Sequence, residues 1–215
     1  MKFEKKYAPK TISEFVFPDG SMKSKVQQFI AKDMDGHLLM YGNYGSGKTT
    51  LANLIPLEVV WKIDPTIKEL DYLDLAGDEV TAASINMIRT AASLYHPQLP
   101  RQVIVIDEAD TIPAKAMQRM KKVIDDTERN CSDIFCTNHV DKMDQGIVSR
   151  CVGLPFTKSD TQAMADRAKD ILSNEGVSLS DAVITPIVKK SKGDFRALLQ
   201  DLEYLCNQVP TQKAA

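Results

Sequence analysis

Apolar residues in this 215-residue chain fall into short runs divided by polar turns, and the spacing within each run predicts its element. Residues 1–20, broken by Pro9, Pro18 and Gly20, read as loop. A short helix is expected over Met22–Ala31, with Val26, Phe29 and Ile30 on one face. His37–Tyr41 reads as a buried strand and Thr50–Leu54 as the start of a helix that Pro56 stops or kinks. Val59–Ile63 is rich in β-branched residues and predicts a strand, as does the alternation over Asp71–Leu75. Thr81–Leu94 has helical spacing, with Ile85, Ile88, Ala92 and Met87 as apolar contacts, and His96–Pro100 is a loop. Val103–Ile106 is wholly apolar, the pattern of a central strand buried on both faces. A helix over Pro113–Asp126 and a strand over Asp133–Thr137 follow, and 139–155 reads as irregular. Strands alternating with helices imply a parallel sheet covered on both faces.

Beyond Pro155 the pattern turns wholly helical. Ser159 and Asp160 can cap a helix to Asn174, closed by Gly176. Ser180 and Asp181 begin a second helix to Ser191, and Gly193 and Asp194 open a third to Asn207. The expected organisation is an α/β domain over 1–155, a three-helix domain over 156–208 and a tail over 209–215.

The chemistry concentrates after the first strand. Gly42-Asn43-Tyr44-Gly45-Ser46-Gly47-Lys48-Thr49 fits the phosphate-loop pattern, and Thr50 continues into the helix. Gly42, Gly45 and Gly47 let backbone N–H groups turn toward an anion, and the helix that follows points its positive end there. Lys48 supplies a cation for the β- and γ-phosphates, and the Thr49 hydroxyl is a ligand for Mg²⁺. Asp107 ends the central strand as a second Mg²⁺ ligand, and Glu108 is placed to orient and deprotonate water. That acid pair argues for hydrolysis of a nucleoside triphosphate over a nucleotide kinase. Asn138, at the end of the next strand, either caps the strand or holds the attacking water or the γ-phosphate.

Composition changes the picture little. With 43% hydrophobic and 26% charged residues and a net charge of −2, the chain is an ordinary globular protein, not a basic coat for nucleic acid. Cys131, Cys136, Cys151 and Cys206 lack the spacing of a zinc site or disulfide framework and suit a reducing cytoplasm. The first residues lack a signal-peptide apolar core and no run reaches membrane-spanning length, so a soluble cytoplasmic protein is expected.

Several motifs together carry a resemblance. Besides Gly42–Thr49, they are Val103–Asp110, Gln118-Arg119, Asn130-Cys131-Ser132, Thr137-Asn138, Ser149-Arg150-Cys151 and Gly193-Asp194-Phe195-Arg196. In this order the chain resembles the clamp-loader ATPase subunits of the AAA+ superfamily, replication factor C small subunits and the T-even bacteriophage clamp-loader ATPase among them. The serine-arginine-cysteine triplet is the specific part. The resemblance implies a RecA-like domain followed by a lid, ATP and Mg²⁺ as cofactors, and other clamp-loader subunits or copies of itself as partners. It also implies a sliding clamp and primer–template DNA as targets, with a phage-encoded chain acting in the host cytoplasm.

By the same resemblance Arg150 is an arginine finger reaching the γ-phosphate of a neighbouring subunit, and Arg196 is a second sensor reaching phosphates of its own subunit. Asn138 is the first sensor, and Tyr7 and Pro9 lie near the adenine. On the residues alone, Arg150 could instead be a loop arginine and Arg196 a surface cation beside Asp194. Lys115, Arg119, Lys121 and Lys122 form a basic helix face for DNA phosphates or for solvent, beside Gln118, the family's link from DNA to the catalytic glutamate. The chain departs from the family at Ala8, where an arginine is usual, and at Ile85. The sequence stops at Ala215, where the family continues into a helical collar, as expected either of a piece of a longer chain or of a short relative assembling through its ATPase faces. A helicase loader, an initiator or an ATP-sensing scaffold remain as other expectations.

Overall fold

The computed structural model describes residues 2–31, 36–70, 72–93, 101–157 and 160–208. The expectation for 96–100, the tail from 209, Asp71 and the Ser159 half of the helix cap lie outside them. Five strands are formed: β1 His37–Gly42, β2 Leu73–Ala76, β3 Gln102–Asp107, β4 Cys131–Thr137 and β5 Cys151–Phe156. All pair in parallel, in the order β2-β3-β4-β1-β5.

The apolar strands divide their side chains by alternation. Leu38, Met40, Val103, Val105, Ile134, Cys136, Leu154 and Phe156 enter one core beneath helices α2 Gly20–Ala31 and α3 Lys48–Trp61. Leu39, Ile104, Ile106 and Phe135 enter another, beneath α4 Ala82–Ser93 and α5 Ala114–Thr127. Fully burying each such side chain contributes about 1.5–3 kcal/mol, which is why register is fixed so firmly here. A third core unites α7 Thr161–Asn174, α8 Asp181–Ser191 and α9 Phe195–Gln208 with Phe3.

Four expectations fail for physical reasons. Val59–Ile63 is no strand: Val59 and Val60 continue a buried stripe through Leu51, Ala52, Ile55 and Pro56, spaced at helical period, and α3 runs past Pro56 to Trp61. Burial of that stripe outweighs both the lost hydrogen bond and β-branching. Residues 139–155 are not irregular. They hold a 3-10 turn at Val140–Lys142, the short helix α6 Gln145–Val148, and most of β5, whose Gly153 and Pro155 are tolerated because it is an edge strand. Residues 1–20 contain the short helix α1 Phe3–Lys6, anchored by buried Phe3, and a 3-10 turn at Ile12–Glu14. Finally, Met87 is 56% exposed and packs no core.

Candidate nucleotide-binding site

The carboxyl ends of β3, β4 and β1 lie side by side, so the loops after them converge. After β1 the chain turns with positive φ at Gly42, Gly45 and Gly47, and α3 starts at Lys48. The Gly45 position is decided by space. A Cβ there would sit 1.9 Å from Asp194 Oδ1, and the Phe195 N–H donates to the Gly45 carbonyl at 2.9 Å. Asp194 Oδ1 also accepts from Ala197 N–H, capping the first turn of α9. The lid helix is thereby docked on the phosphate loop, with Arg196 beside it.

Lys48 is 6% exposed, and its Nζ donates to the carbonyls of Gly42 at 3.0 Å and Asn43 at 2.7 Å. Burial pulls its pKa below the ordinary lysine range, an effect that nearby Cys136 and Asp107 oppose. Thr49 Oγ1 donates to Asp107 Oδ2 at 2.7 Å, bringing two hard oxygens together. That pair fits Mg²⁺, which takes few protein ligands and completes its octahedron with phosphate and water oxygens. Among the described residues no cluster of three acidic, histidine or cysteine side chains would hold a metal unaided.

Glu108 follows with φ 49° and ψ 41°, a left-handed conformation that costs a residue other than glycine about 1–2 kcal/mol. Its surroundings enforce it. The Thr111 N–H and hydroxyl both donate to the Glu108 carbonyl at 2.8 Å, and that carbonyl lies where a Cβ on Gly77 would come within 2.3 Å. Gly77 must be glycine because the strained turn presses on it. Strain of this kind collects at functional sites.

These groups open onto a cavity of about 300 Å³. It is lined by Tyr7, Pro9, Tyr44, Gly45, Ser46, Gly47, Lys48, Thr49, Thr50, Asp107, Glu108, Asn138 and Arg196, so residues far apart in the chain meet there. Gly42 and Asn43 sit behind the lining, holding Lys48. Tyr44 is exposed at the loop tip, its hydroxyl 3.1 Å from His139 Nε2.

Sequence reasoning missed the far wall, where Phe15, Val16, Ile171, Phe195 and Leu199 form an apolar slot and Arg167 donates to the Tyr7 carbonyl at 3.3 Å. Apart from Phe195, which follows Asp194 in the lid motif, no local motif marks these positions. Arg167 and Ile171 on α7 and Phe195 and Leu199 on α9 are one helical turn apart, and Phe15 and Val16 come from the segment after Glu14. Glu4, also missed, accepts from Arg196 Nε at 2.7 Å. Lys6 donates to Glu175 at 2.5 Å and the Tyr7 hydroxyl bonds the same carboxylate, strapping the N-terminal segment to the lid. Hydrogen bonds from Lys6 and Tyr7 hold the Glu175 carboxyl below the usual carboxylate range.

Arg150 is not in the cavity. It lies where α6 meets β5, Nε and Nη2 donating to Asp125 at 2.6 and 2.9 Å and Nη1 to the Gly146 carbonyl at 2.7 Å. The paired guanidinium holds the Asp125 carboxyl below its ordinary range. On α5, Lys115, Gln118, Arg119 and Lys122 are exposed, but Lys121 is paired with Asp144 at 3.0 Å and leaves the basic face.

Residues 38–154 match the model of the ATPase family associated with various cellular activities (AAA). The chain belongs to the AAA family of ATPases. It is 30% identical over 201 residues to replication factor C small subunit 1 of Pyrobaculum aerophilum, covering 92% of this chain and 60% of that one. It is 28% identical over 206 residues to replication factor C subunit 4 of Encephalitozoon cuniculi, covering 96% and 65%. The AAA chain thus spans about three fifths of the length of such relatives. Its fold is similar to that of the Thermotoga maritima RuvB Holliday junction branch migration motor, with TM-score 0.73 at 20% identity over 94% of this chain and 65% of the other.

Proposed function

We propose that this AAA ATPase is a clamp-loader subunit that hydrolyses ATP while opening a sliding clamp and placing it on primer–template DNA. One observation carries the reading. The groups expected to bind ATP and activate water line one cavity, whereas Arg150 lies outside it, paired with Asp125, where a neighbouring subunit would use it. The similarity to replication factor C subunits supports the clamp and DNA as targets.

ATP binds with its base in the apolar slot beside Tyr7 and Pro9 and its triphosphate along residues 42–49. Lys48 exchanges its bonds to the Gly42 and Asn43 carbonyls for phosphate oxygens. Thr49 and Asp107 would hold Mg²⁺, which when bound would offset charge on the β- and γ-phosphates. Glu108, fixed by its strained turn, orients the attacking water and takes its proton, a contribution of about 10²–10⁴ in rate. Asn138 holds that water in line. Arg196 leaves Glu4 for the phosphates of its own subunit, and Arg150 reaches those of the next, supplying the last cation at the transition state. Lys115, Arg119 and Lys122 meet DNA phosphates, and Gln118 relays that contact along α5.

Phosphate release with and without clamp and primer–template DNA, for the natural chain and Glu108→Gln, tests this. Clamp and DNA should stimulate the natural chain together, while Glu108→Gln binds ATP and turns it over about 10²-fold more slowly. Turnover indifferent to both targets would assign the chain to another replication ATPase.

A further inference from the structure

We infer that Asp125 is a positioning residue for Arg150, with Lys121, one turn earlier on α5, anchoring the loop that carries it; this rests on the trans role given to Arg150 above. A guanidinium has five N–H groups in a rigid planar fork. Asp125 takes two of them, from Nε and Nη2, and the Gly146 carbonyl takes one from Nη1. One N–H on each terminal nitrogen remains for an oxyanion outside the subunit. A bidentate pair with a carbonyl at the third point fixes the plane of the fork as well as its place.

The carbonyl is itself held. Asp144 accepts from the Gly146 N–H at 2.7 Å and is paired with Lys121 at 3.0 Å. A Cβ on Gly146 would meet Lys121 Cδ at 2.6 Å and Asp144 Oδ1 at 2.8 Å, so a bare glycine lets the lysine stem cross. Residues 121 and 125, four apart on one helix, thus grip both ends of a short segment ending in Arg150. Because α5 follows the Glu108 turn, the same helix links a subunit's own water-activating group to the cation it lends its neighbour.

The test is phosphate release per chain, measured at concentrations where mass shows monomers and where it shows assemblies. The variants are Asp125→Asn, Asp125→Glu, Arg150→Ala and the Asp125→Asn/Arg150→Ala double. Asp125→Asn should lower the assembled-state kcat about tenfold, leaving KM for ATP and the mass distribution unchanged. Asp125→Glu should recover part of the loss, and Asp125→Asn should add nothing to Arg150→Ala. An unchanged or faster Asp125→Asn, a further loss in the double variant, or assembly lost in Asp125→Asn but kept in Arg150→Ala would each overturn the inference. Should Arg150→Ala keep the full assembled rate, the trans role falls and the role of Asp125 with it. Should Arg150→Ala lose that rate while Asp125→Asn does not, only the role of Asp125 falls.

Discussion

Arg150 and Arg196 are both surface arginines held by a carboxylate, at 2.6 and 2.7 Å, but the frameworks behind those carboxylates differ. Asp125 projects from a 14-residue helix whose Val123 and Ile124 are buried against the sheet, and it shares Arg150 with a backbone carbonyl. Glu4 projects from a four-residue helix secured by Phe3, and it holds Arg196 through one bond between side chains 63% and 39% exposed. One guanidinium is fixed within the α/β layer; the other is held by a strap that joins the lid. A cation offered to a separate molecule gains from being preorganised, because an ordered fork gives up less entropy on contact. A cation serving its own cavity must exchange partners as ATP enters, so a single exposed contact worth about 0–1 kcal/mol suits it.

The comparison breaks most severely at Arg150. Arg150→Ala should keep ATP affinity and lose about 10³-fold or more of the assembled-state rate, in line with other trans arginines. Equal losses in dilute and concentrated samples would show that no neighbour uses it. Arg196→Ala should cost about 10²-fold in single-turnover rate at any concentration, the signature of a group acting within one chain. Glu4→Gln should have the opposite sign, releasing Arg196 and tightening ATP binding about twofold to fivefold in a titration. The smallest effect concerns the strap. Since the Glu175 carboxyl is depressed below its ordinary 4.5, its contribution to stability is present above that pH and lost as pH falls through the folded value. Melting curves for the natural chain and Glu175→Gln should therefore separate at neutral pH and converge under acid.

How much of this was legible beforehand depends on how local the cause is. The phosphate loop and Asp107–Glu108 are contiguous and chemically narrow, so their convergence could be read from the chain. Val59 and Val60 misled because propensity is local whereas burial of the α3 stripe is tertiary. The strand from Cys151 was hidden by its own Gly153 and Pro155, which only an edge position permits. Glu4, Arg167 and Asp125 carry no motif. Each matters through a partner 192, 160 or 25 residues away, a distance no spacing rule spans.

The left-handed turn at Glu108 has a consequence for engineering. Replacing this glutamate by glycine should yield an inert protein that resists heat better than its glutamine counterpart, since both keep the left-handed dihedrals but only glutamine is strained by them. Selection for robustness alone would discard the side chain proposed to activate water.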